Sequence, residues 1–143
     1  MNLQNVRIAK MLAPISLAGG ATATATEVDT APSGIKFEEA LVIVSSGLVG
    51  ANGVATLKLQ HSDTSGSGGV DITGAAWTAL LDADDGINLA CSLDLRKCKR
   101  YLTLVITNGA TNASVMACNA ILGRANEAPI TATARGVQEF LIV

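Results

Sequence analysis

The chain has 143 residues, which fits one domain that buries roughly two-thirds of its unfolded surface on folding. Hydrophobic residues make up 49% of the sequence and aromatic residues only 3%, so we expect a core of Val, Leu, Ile and Ala. Ten Lys and Arg against twelve Asp and Glu give a net charge of -2, which supplies no overall attraction to phosphate polymers and argues against a direct nucleic-acid partner.

The sequence shows no pattern typical of export or membrane insertion. Residues 1–10 lack an apolar run with a small-residue cleavage site, and no segment approaches the roughly 20 apolar residues of a membrane span. Cys91, Cys98 and Cys118 cannot all pair, and together with the single His61 they follow no zinc-ligand spacing. We therefore predict free thiols, no metal or other cofactor, no membrane partner, and synthesis in a reducing cytoplasm.

Apolar runs separated by glycine and short polar clusters predict strands along the first half of the chain. Residues 6–12 form the first run, which ends before Pro14. Residues 21–28 place threonine on one face and alanine on the other, and residues 35–44 finish as a continuous buried run. Residues 54–62 alternate apolar and polar side chains, which predicts a strand with one buried face.

The second half contains four further candidate strands and a Gly/Ser loop. They are the loop at 66–69, short strands near 77–80 and 91–95, and longer strands at 101–107 and 114–122 that a turn at 108–112 would join as a hairpin. No window holds a helical period for three turns. About eight strands predict an all-β, antiparallel, jelly-roll-like β-sandwich. Its predicted core is Val42, Val44, Leu57, Leu59, Trp77, Leu102, Leu104 and Ile121.

Periodicity is lost from Arg124 to Gly136, and Gly19-Gly20 separates the first candidate strand from the next, which predicts terminal arms around a central sandwich. We expect an N-terminal arm at 1–20, the sandwich at 21–123 and a C-terminal arm at 124–143. The run Phe140–Val143 is apolar and needs an edge or groove to cover it. Two interpretations remain: the arm reaches a neighbouring molecule, or it folds back on its own sheet.

Three short motifs resemble sites of chemistry, and each has a simpler interpretation. His61-Ser62-Asp63 has the residue types of a hydrolase triad, but neighbours in a strand point to opposite faces. The Asp82–Gly86 segment resembles the start of a calcium loop, yet the closing Glu is missing. The Gly66–Gly69 segment lacks the Lys and helix of a phosphate loop, so we expect a hairpin loop. We predict no catalytic residues and no enzyme activity.

A basic cluster at Arg96–Arg100 is the main concentration of charge. It is either a solvated turn or a contact patch for an acidic protein surface, and it lacks the interleaved aromatic residues of a nucleic-acid site. One Trp, one Tyr and two Phe are too few for the aromatic platform of most sugar-binding sandwiches. We therefore assign Trp77 to the core.

The order of these features resembles that of a known group of viral proteins. A strand ending in Leu57–Asp63, the Gly/Ser loop, Trp77-Thr78, the strand from Lys99 and a strand ending in Ala120–Gly123 look like the jelly-roll cement, or head-decoration, proteins of tailed bacteriophages. The resemblance spans roughly residues 35–124. It implies a non-enzymatic virion protein on the capsid exterior, assembled in the host cytoplasm, whose terminal extensions grip neighbouring molecules.

The partners that this resemblance implies are the major capsid protein and the chain itself, as a homodimer or homotrimer. Residues 1–10 alternate apolar and basic side chains and could add a strand to an acidic, apolar edge of a partner. Residues 137–143 would supply a second clamp. A phage tail or baseplate component and a carbohydrate-binding module are the alternatives. The predicted interface residues are Leu3, Val6, Arg7, Ile8, Lys10, Arg96, Lys97, Arg135, Phe140, Leu141, Ile142 and Val143.

Overall fold

A computed structural model describes residues 5–109, 111–126 and 134–137, and in these residues the regular structure is almost entirely β. Two short 3-10 turns, Pro32–Gly34 and Leu95–Lys97, interrupt it. Within the described residues, no helix is long and apolar enough to span a membrane. The strands are β1 Arg7–Leu17, β2 Thr22–Thr24, β3 Val28–Asp29, β4 Glu39–Ser46, β5 Val54–Ser62, β6 Val70–Ala76, β7 Asn88–Asp94, β8 Tyr101–Asn108 and β9 Ser114–Gly123.

The strands form two antiparallel sheets whose order defines the fold. Sheet 1 has the order β1-β9-β4-β7, and sheet 2 has the order β2-β8-β5-β6, with β3 also pairing with β8. If β2 and β3 are taken as one interrupted strand, eight strands are divided between the sheets in the nested order of a jelly roll. The predicted all-β, jelly-roll-like sandwich is confirmed.

The core lies between the sheets because side chains alternate along every long strand. Strands β4 and β8 bury every second residue, as their apolar alternation predicts. Six of the eight predicted core residues are buried, but Trp77 is half-buried and Ile121 lies on the outer face, between buried Ala120 and Leu122. The fully buried side chains include Phe37, Met11, Leu57, Leu59, Leu102, Leu104, Ile106, Met116, Leu122, Val42, Val44 and Val54.

Most of the expected N-terminal arm is part of sheet 1. Strand β1 pairs with β9 from Arg7 to Leu17 and buries Met11, so these residues belong to the sandwich and not to an arm. The strand continues through Pro14 because β1 is an edge strand, where a missing N–H donor removes no internal ladder bond. Register shifts around Leu12 mark bulges at the same place.

Two other expectations about the strands are wrong. Strands β8 and β9 do not form a hairpin: the loop between them carries the chain from sheet 2 to sheet 1. The strand expected near 77–80 lies earlier, at Val70–Ala76, because pairing with β5 across the Gly/Ser loop determines its position. That loop is a hairpin loop, as predicted.

Candidate functional site

Residues 134–137 lie against the edge of β1, close to where that strand begins. The backbone N–H of Ile8 donates to the carbonyl of Arg135 at 2.7 Å. Gly136 has a φ of +75°, and a Cβ atom there would lie 1.8 Å from the carbonyl oxygen of Ile8. This close approach requires glycine. We call residues 5–8 together with residues 134–137 the β1 corner.

Both terminal segments of the sequence adjoin the β1 corner. Residues 1–4 precede Asn5 directly, and residues 138–143 follow Val137 directly. Five predicted interface residues, Leu3, Phe140, Leu141, Ile142 and Val143, lie in these segments, outside the described residues. Arg135 is not the exposed contact residue that the sequence predicts. It is only 8% exposed, and its carbonyl accepts the hydrogen bond from Ile8 that joins the two parts of the β1 corner.

The predicted residues of β1 are divided between its two faces. Ile8 pairs with Ile121 and Lys10 pairs with Asn119, so both lie on the outer face of sheet 1. Arg7 pairs with the buried Leu122 and lies on the inner side, where its Nε is buried without a hydrogen-bond partner. Arg7 is therefore not the exposed contact that the sequence suggested.

A groove beside the β1 corner crosses the outer face of sheet 1. It has a volume of about 330 Å³, and both apolar and polar residues line it. Val6 is the one predicted interface residue that lines it. The hydropathy pattern does not indicate the others, because it places Ile121 in the core and Leu41 in a buried run. The lining residues are Asn5, Val6, Glu39, Ala40, Leu41, Ser92, Ile121, Gly123 and Arg124.

The basic cluster is only partly available to a partner. Arg96 donates from Nε to Oδ1 of Asp94 at 2.8 Å and from Nη2 to Oδ2 at 3.0 Å. These hydrogen bonds hold the pKa of Asp94 below its usual value. Lys97 is exposed in the same turn, and Lys99 pairs with Asp63 at 3.0 Å. Both predicted contact residues here, Arg96 and Lys97, are exposed, and Arg96 is the one that Asp94 holds.

The opposite end of the sandwich is held by a buried polar network that the hydropathy pattern does not indicate. Asn108 donates from Nδ2 to the carbonyls of Leu17 at 2.8 Å and Asn112 at 2.9 Å. Its Oδ1 accepts from Ser114 Oγ, which in turn accepts from the N–H of Gly50. Three loops are thereby fixed to one another. Leu48 and Leu81 are 64% and 63% exposed at this end.

The triad-like sequence has no relay geometry. His61 Nδ1 accepts from the backbone N–H of Lys99 at 3.3 Å, and Ser62 is buried and donates to the carbonyl of Thr64 at 2.7 Å. Asp63 pairs with Lys99 instead of His61. Each of the three side chains therefore has a separate structural partner.

The calcium-like turn uses its carboxylates to fold the loop. Asp84 Oδ2 accepts from the N–H of Leu81 at 2.8 Å, and Asp85 Oδ1 accepts from the N–H of Val49 at 2.7 Å. Among the described residues, no cluster of three or more His, Cys, Asp or Glu could hold a metal ion.

The three cysteines are unpaired, and they differ in environment. Cys118 is buried, and burial raises the pKa of its thiol to about 12. Burial also raises the pKa of the half-buried Cys91 and Cys98. Low thiolate content makes all three poor nucleophiles at neutral pH.

Comparison with known proteins gives distant structural similarities only. No family model and no curated protein sequence matches the chain. A protein of Bacillus endospore appendages, described as disulfide-linked pili, is 13% identical, with a TM-score of 0.47 over 83% of this chain and 88% of that one. The coat protein of tobacco streak virus is 10% identical, with a TM-score of 0.41 over 100% and 99%.

A carbohydrate-binding and xylanase structure is similar over a smaller part of its length. It comprises the CBM22-1 and GH10 modules of Clostridium thermocellum xylanase 10B, in complex with xylohexaose, and is 13% identical with a TM-score of 0.44. The alignment covers 91% of this chain but 28% of that one. The jelly-roll assignment therefore rests on the strand order of this chain.

Proposed function

We propose that this chain is a non-enzymatic structural protein of a tailed bacteriophage, which binds the outer surface of the capsid as an oligomer and bridges neighbouring capsid subunits. The β1 corner is the observation that carries this proposal. It joins residues 5–8 to residues 134–137, which precede and follow the sandwich at opposite ends of the sequence, through the hydrogen bond from Ile8 to Arg135. In this proposal, the segments 1–4 and 138–143, which continue from the corner in the sequence, contact one neighbouring surface together.

The composition of the two segments supports their role in binding. Residues 140–143 are Phe-Leu-Ile-Val, and each side chain contributes roughly 1.5–3 kcal/mol when fully removed from water. Leu3 adds an apolar side chain from the other segment. Lys97 offers a positive charge to an acidic patch on the capsid.

The mechanism is mechanical and needs no turnover. A capsid filled with DNA is under outward load, and an oligomer attached to adjacent subunits adds contact area that must be broken before they separate. Each contact is modest alone. After one copy of the oligomer has bound, the next contact forms at high effective concentration, which makes complete release rare.

The experiment is co-sedimentation with heads of the phage that encodes this chain, prepared without it. Three proteins are compared: the full chain, a form lacking residues 1–4 and a form lacking residues 138–143. Leu48→Ser is the matched control, because it removes an exposed apolar side chain from the opposite end of the sandwich. We expect each deletion to weaken binding by about tenfold or more and the control to bind within about twofold of the full chain.

Three outcomes would overturn the proposal. The first is that the full chain does not sediment with the heads. The second is that both deletion forms bind as tightly as the full chain. The third is that gold-labelled antibody finds the chain on the tail of intact virions. The last result would assign the chain to the tail or baseplate.

A further inference from the structure

The edge strands of the two sheets differ in how well they are protected against pairing with a further strand. Two backbone hydrogen bonds already occupy the edge of β1: the N–H of Ile8 donates to Arg135, and the carbonyl of Met11 accepts from Thr26. Strand β2 has only three residues, and β6 has a register shift against β5 and a glycine, Gly74, at a φ of +82°. Strand β7 has seven residues, an unbroken register with β4, and no proline or lysine. Its edge is therefore the least protected of the four.

The backbone groups of β7 point alternately to β4 and to the open side of the sheet. At one end of the strand the carbonyl of Ile87 accepts from Ser46 at 2.9 Å, and at the other end the N–H of Leu95 donates to Glu38 at 2.8 Å. Because the direction alternates along a strand of constant register, the even-numbered residues of β7 direct their N–H and C=O groups to the open side. These residues are Asn88, Ala90, Ser92 and Asp94.

The contacts to this open side are weak among the described residues. Trp77 donates from Nε1 to the carbonyl of Ala90 at 3.4 Å, and Cys91 Sγ lies 3.9 Å from the carbonyl oxygen of Ser92. The Trp77 contact agrees with the direction of the Ala90 carbonyl, and a carbonyl oxygen has a second lone pair for a further hydrogen bond. The edge of β7 is therefore a template on which one more strand can pair.

The sequence of β7 is nearly symmetric about its central residue, Cys91. From Asn88 to Asp94 the strand is Asn-Leu-Ala-Cys-Ser-Leu-Asp, so leucine lies two residues from the cysteine on both sides and a small residue lies next to it on both sides. When such a strand pairs antiparallel with its own copy, leucine meets leucine and alanine meets serine. At the two ends, the amide of Asn88 meets the carboxylate of Asp94. Each cross-strand pair is thus matched in size or in hydrogen bonding.

We infer that β7 pairs antiparallel with β7 of a second copy of this chain, centred on Cys91, as a two-fold symmetric dimer. In this register the open N–H and C=O groups of Ala90 bond to those of Ser92 in the second copy, and the reverse pair forms by symmetry. The two four-stranded copies of sheet 1 become one continuous sheet. The inference specifies the oligomer of the proposed function, and it can be tested with the chain alone.

A groove beside the second half of β7 gives the second copy an apolar surface to cover. The groove has a volume of about 510 Å³, and Val70, Ile72 and Leu93 line it together with polar residues of β6 and β7. Val70 is 53% exposed. In the proposed register Leu89 of the second copy lies opposite Leu93, on the same side of the sheet, and so covers this groove. Main-chain hydrogen bonds supply most of the affinity of so narrow an interface, and we expect reversible association at micromolar concentrations.

Cys91 allows a direct test, because the centre of the proposed pair is a non-hydrogen-bonded position. Opposing Cα atoms at such a position lie about 4.5 Å apart, which is within the range of about 4.4–6.8 Å that a disulfide spans. Diamide, which takes up the two thiol hydrogens as a disulfide forms, should therefore link the full chain into a covalent dimer of twice the 14.5 kDa chain mass. Cys91→Ser should abolish the link and Cys98→Ser should retain it. Non-reducing gel electrophoresis measures both.

A proline substitution tests the backbone pairing itself. Ser92→Pro removes an N–H on the open side of β7 and no hydrogen bond to β4, so it is compatible with folding. In sedimentation velocity it should raise the dimer dissociation constant by about tenfold or more. Thr24→Pro on edge strand β2 is the matched control: the N–H of Ala25 donates to Leu104 in β8, so that of Thr24 points away from β8. It should leave the constant within about twofold. Circular dichroism and thermal unfolding of both variants show that the sandwich is intact.

Each other arrangement has a distinct result that overturns the inference. If the chain is a monomer at every concentration and Ser92→Pro abolishes co-sedimentation with phage heads, the edge of β7 binds the capsid. If the chain dimerises but Ser92→Pro leaves the dissociation constant unchanged, the interface lies elsewhere. If deletion of residues 138–143 dissociates the dimer as strongly as Ser92→Pro, that segment of a second copy pairs with β7. In the first case the proposed attachment to the capsid stands although this inference fails.

Discussion

Ser114 donates its hydroxyl hydrogen to Oδ1 of Asn108 at 2.8 Å, and both side chains are buried. This bond joins the end of β8 to the start of β9 at the point where the chain passes from sheet 2 to sheet 1. Because the Asn108 amide also reaches three backbone carbonyls, its loss would leave several buried polar groups without partners.

We predict that Asn108→Ala lowers the free energy of unfolding by at least about 2 kcal/mol, since each unsatisfied buried group costs about 1–3 kcal/mol. Urea denaturation at neutral pH measures the change. Asn119→Ala, at an exposed position, should change it by less than about 0.5 kcal/mol. Equal effects of the two substitutions would show that the network does not hold this end together.

The Asp29–Arg100 pair should make stability depend on pH in the acid range. Arg100 donates Nε to Oδ1 of Asp29 at 2.9 Å and Nη2 to Oδ2 at 2.8 Å, which holds the pKa of Asp29 below its ordinary value of 3.8. A lowered pKa in the folded state stabilises the protein above pH 3.8, and the contribution is lost as the pH falls through the folded-state pKa.

We therefore expect Asp29→Asn to cost about 1 kcal/mol or less at pH 7, because the pair is partly exposed, and to cost less still near pH 2. Chemical denaturation at both pH values measures the difference. Asp82→Asn, at an exposed position, serves as the control. A cost for Asp29→Asn that is the same at both pH values would contradict this account.

Thiol reactivity should separate the three cysteines. We predict that a thiol-specific reagent at pH 8 modifies Cys91 and Cys98 in the folded protein and Cys118 only after unfolding, because Cys118 is 1% exposed and has a pKa of about 12. Since its folded pKa exceeds the ordinary value of 9.0, stability should also fall as the pH rises from 9.0 towards 12. Modification of all three thiols at the same rate in the folded protein would contradict the predicted protection of Cys118.

Truncation should distinguish the N-terminal segment from the strand that follows it. We predict that deletion of residues 1–4 leaves the melting temperature nearly unchanged, because β1 begins at Arg7. Deletion of residues 1–10 removes four residues of β1 and should lower the melting temperature by several degrees, roughly in proportion to the lost pairing. Differential scanning fluorimetry compares the two forms. The longer deletion is therefore unsuitable for testing capsid attachment.

Gly136 tests the β1 corner directly. Gly136→Ala should detach residues 134–137 from β1 and make this part of the chain more sensitive to protease, because its Cβ would collide with the Ile8 carbonyl. Gly20→Ala is a close control: its φ of +72° carries the same backbone strain, but no atom lies within 4 Å of the added Cβ. Equal protease sensitivity would show that the contact at Ile8 does not secure the segment.

The sequence predicts the fold class and most of the core because period-two alternation is strong in β4, β5 and β8. It gives the wrong face for Ile121 because β9 has polar Ser114 inside and apolar Ile121 outside. The hydrogen bond from Ser114 to Asn108 compensates that inversion, and a hydropathy pattern does not reveal a bond between the ends of two strands in different sheets. The sequence predicts the candidate site only in part, because the contact of Ile8 with Arg135 joins residues that are far apart in the chain.

The pairing of β1 with β9 also affects how the chain folds. Strand β1 cannot pair until β9, residues 114–123, has left the ribosome. Strand β4 also pairs with β9 and therefore lacks that neighbour until the same stage of synthesis. Contacts between such distant residues make folding slow, on a scale of milliseconds to seconds for β-sandwiches. If translation stalls before Ser114, β4 lacks β9, one of its two neighbouring strands. We expect chaperones and proteases to bind such an incomplete chain.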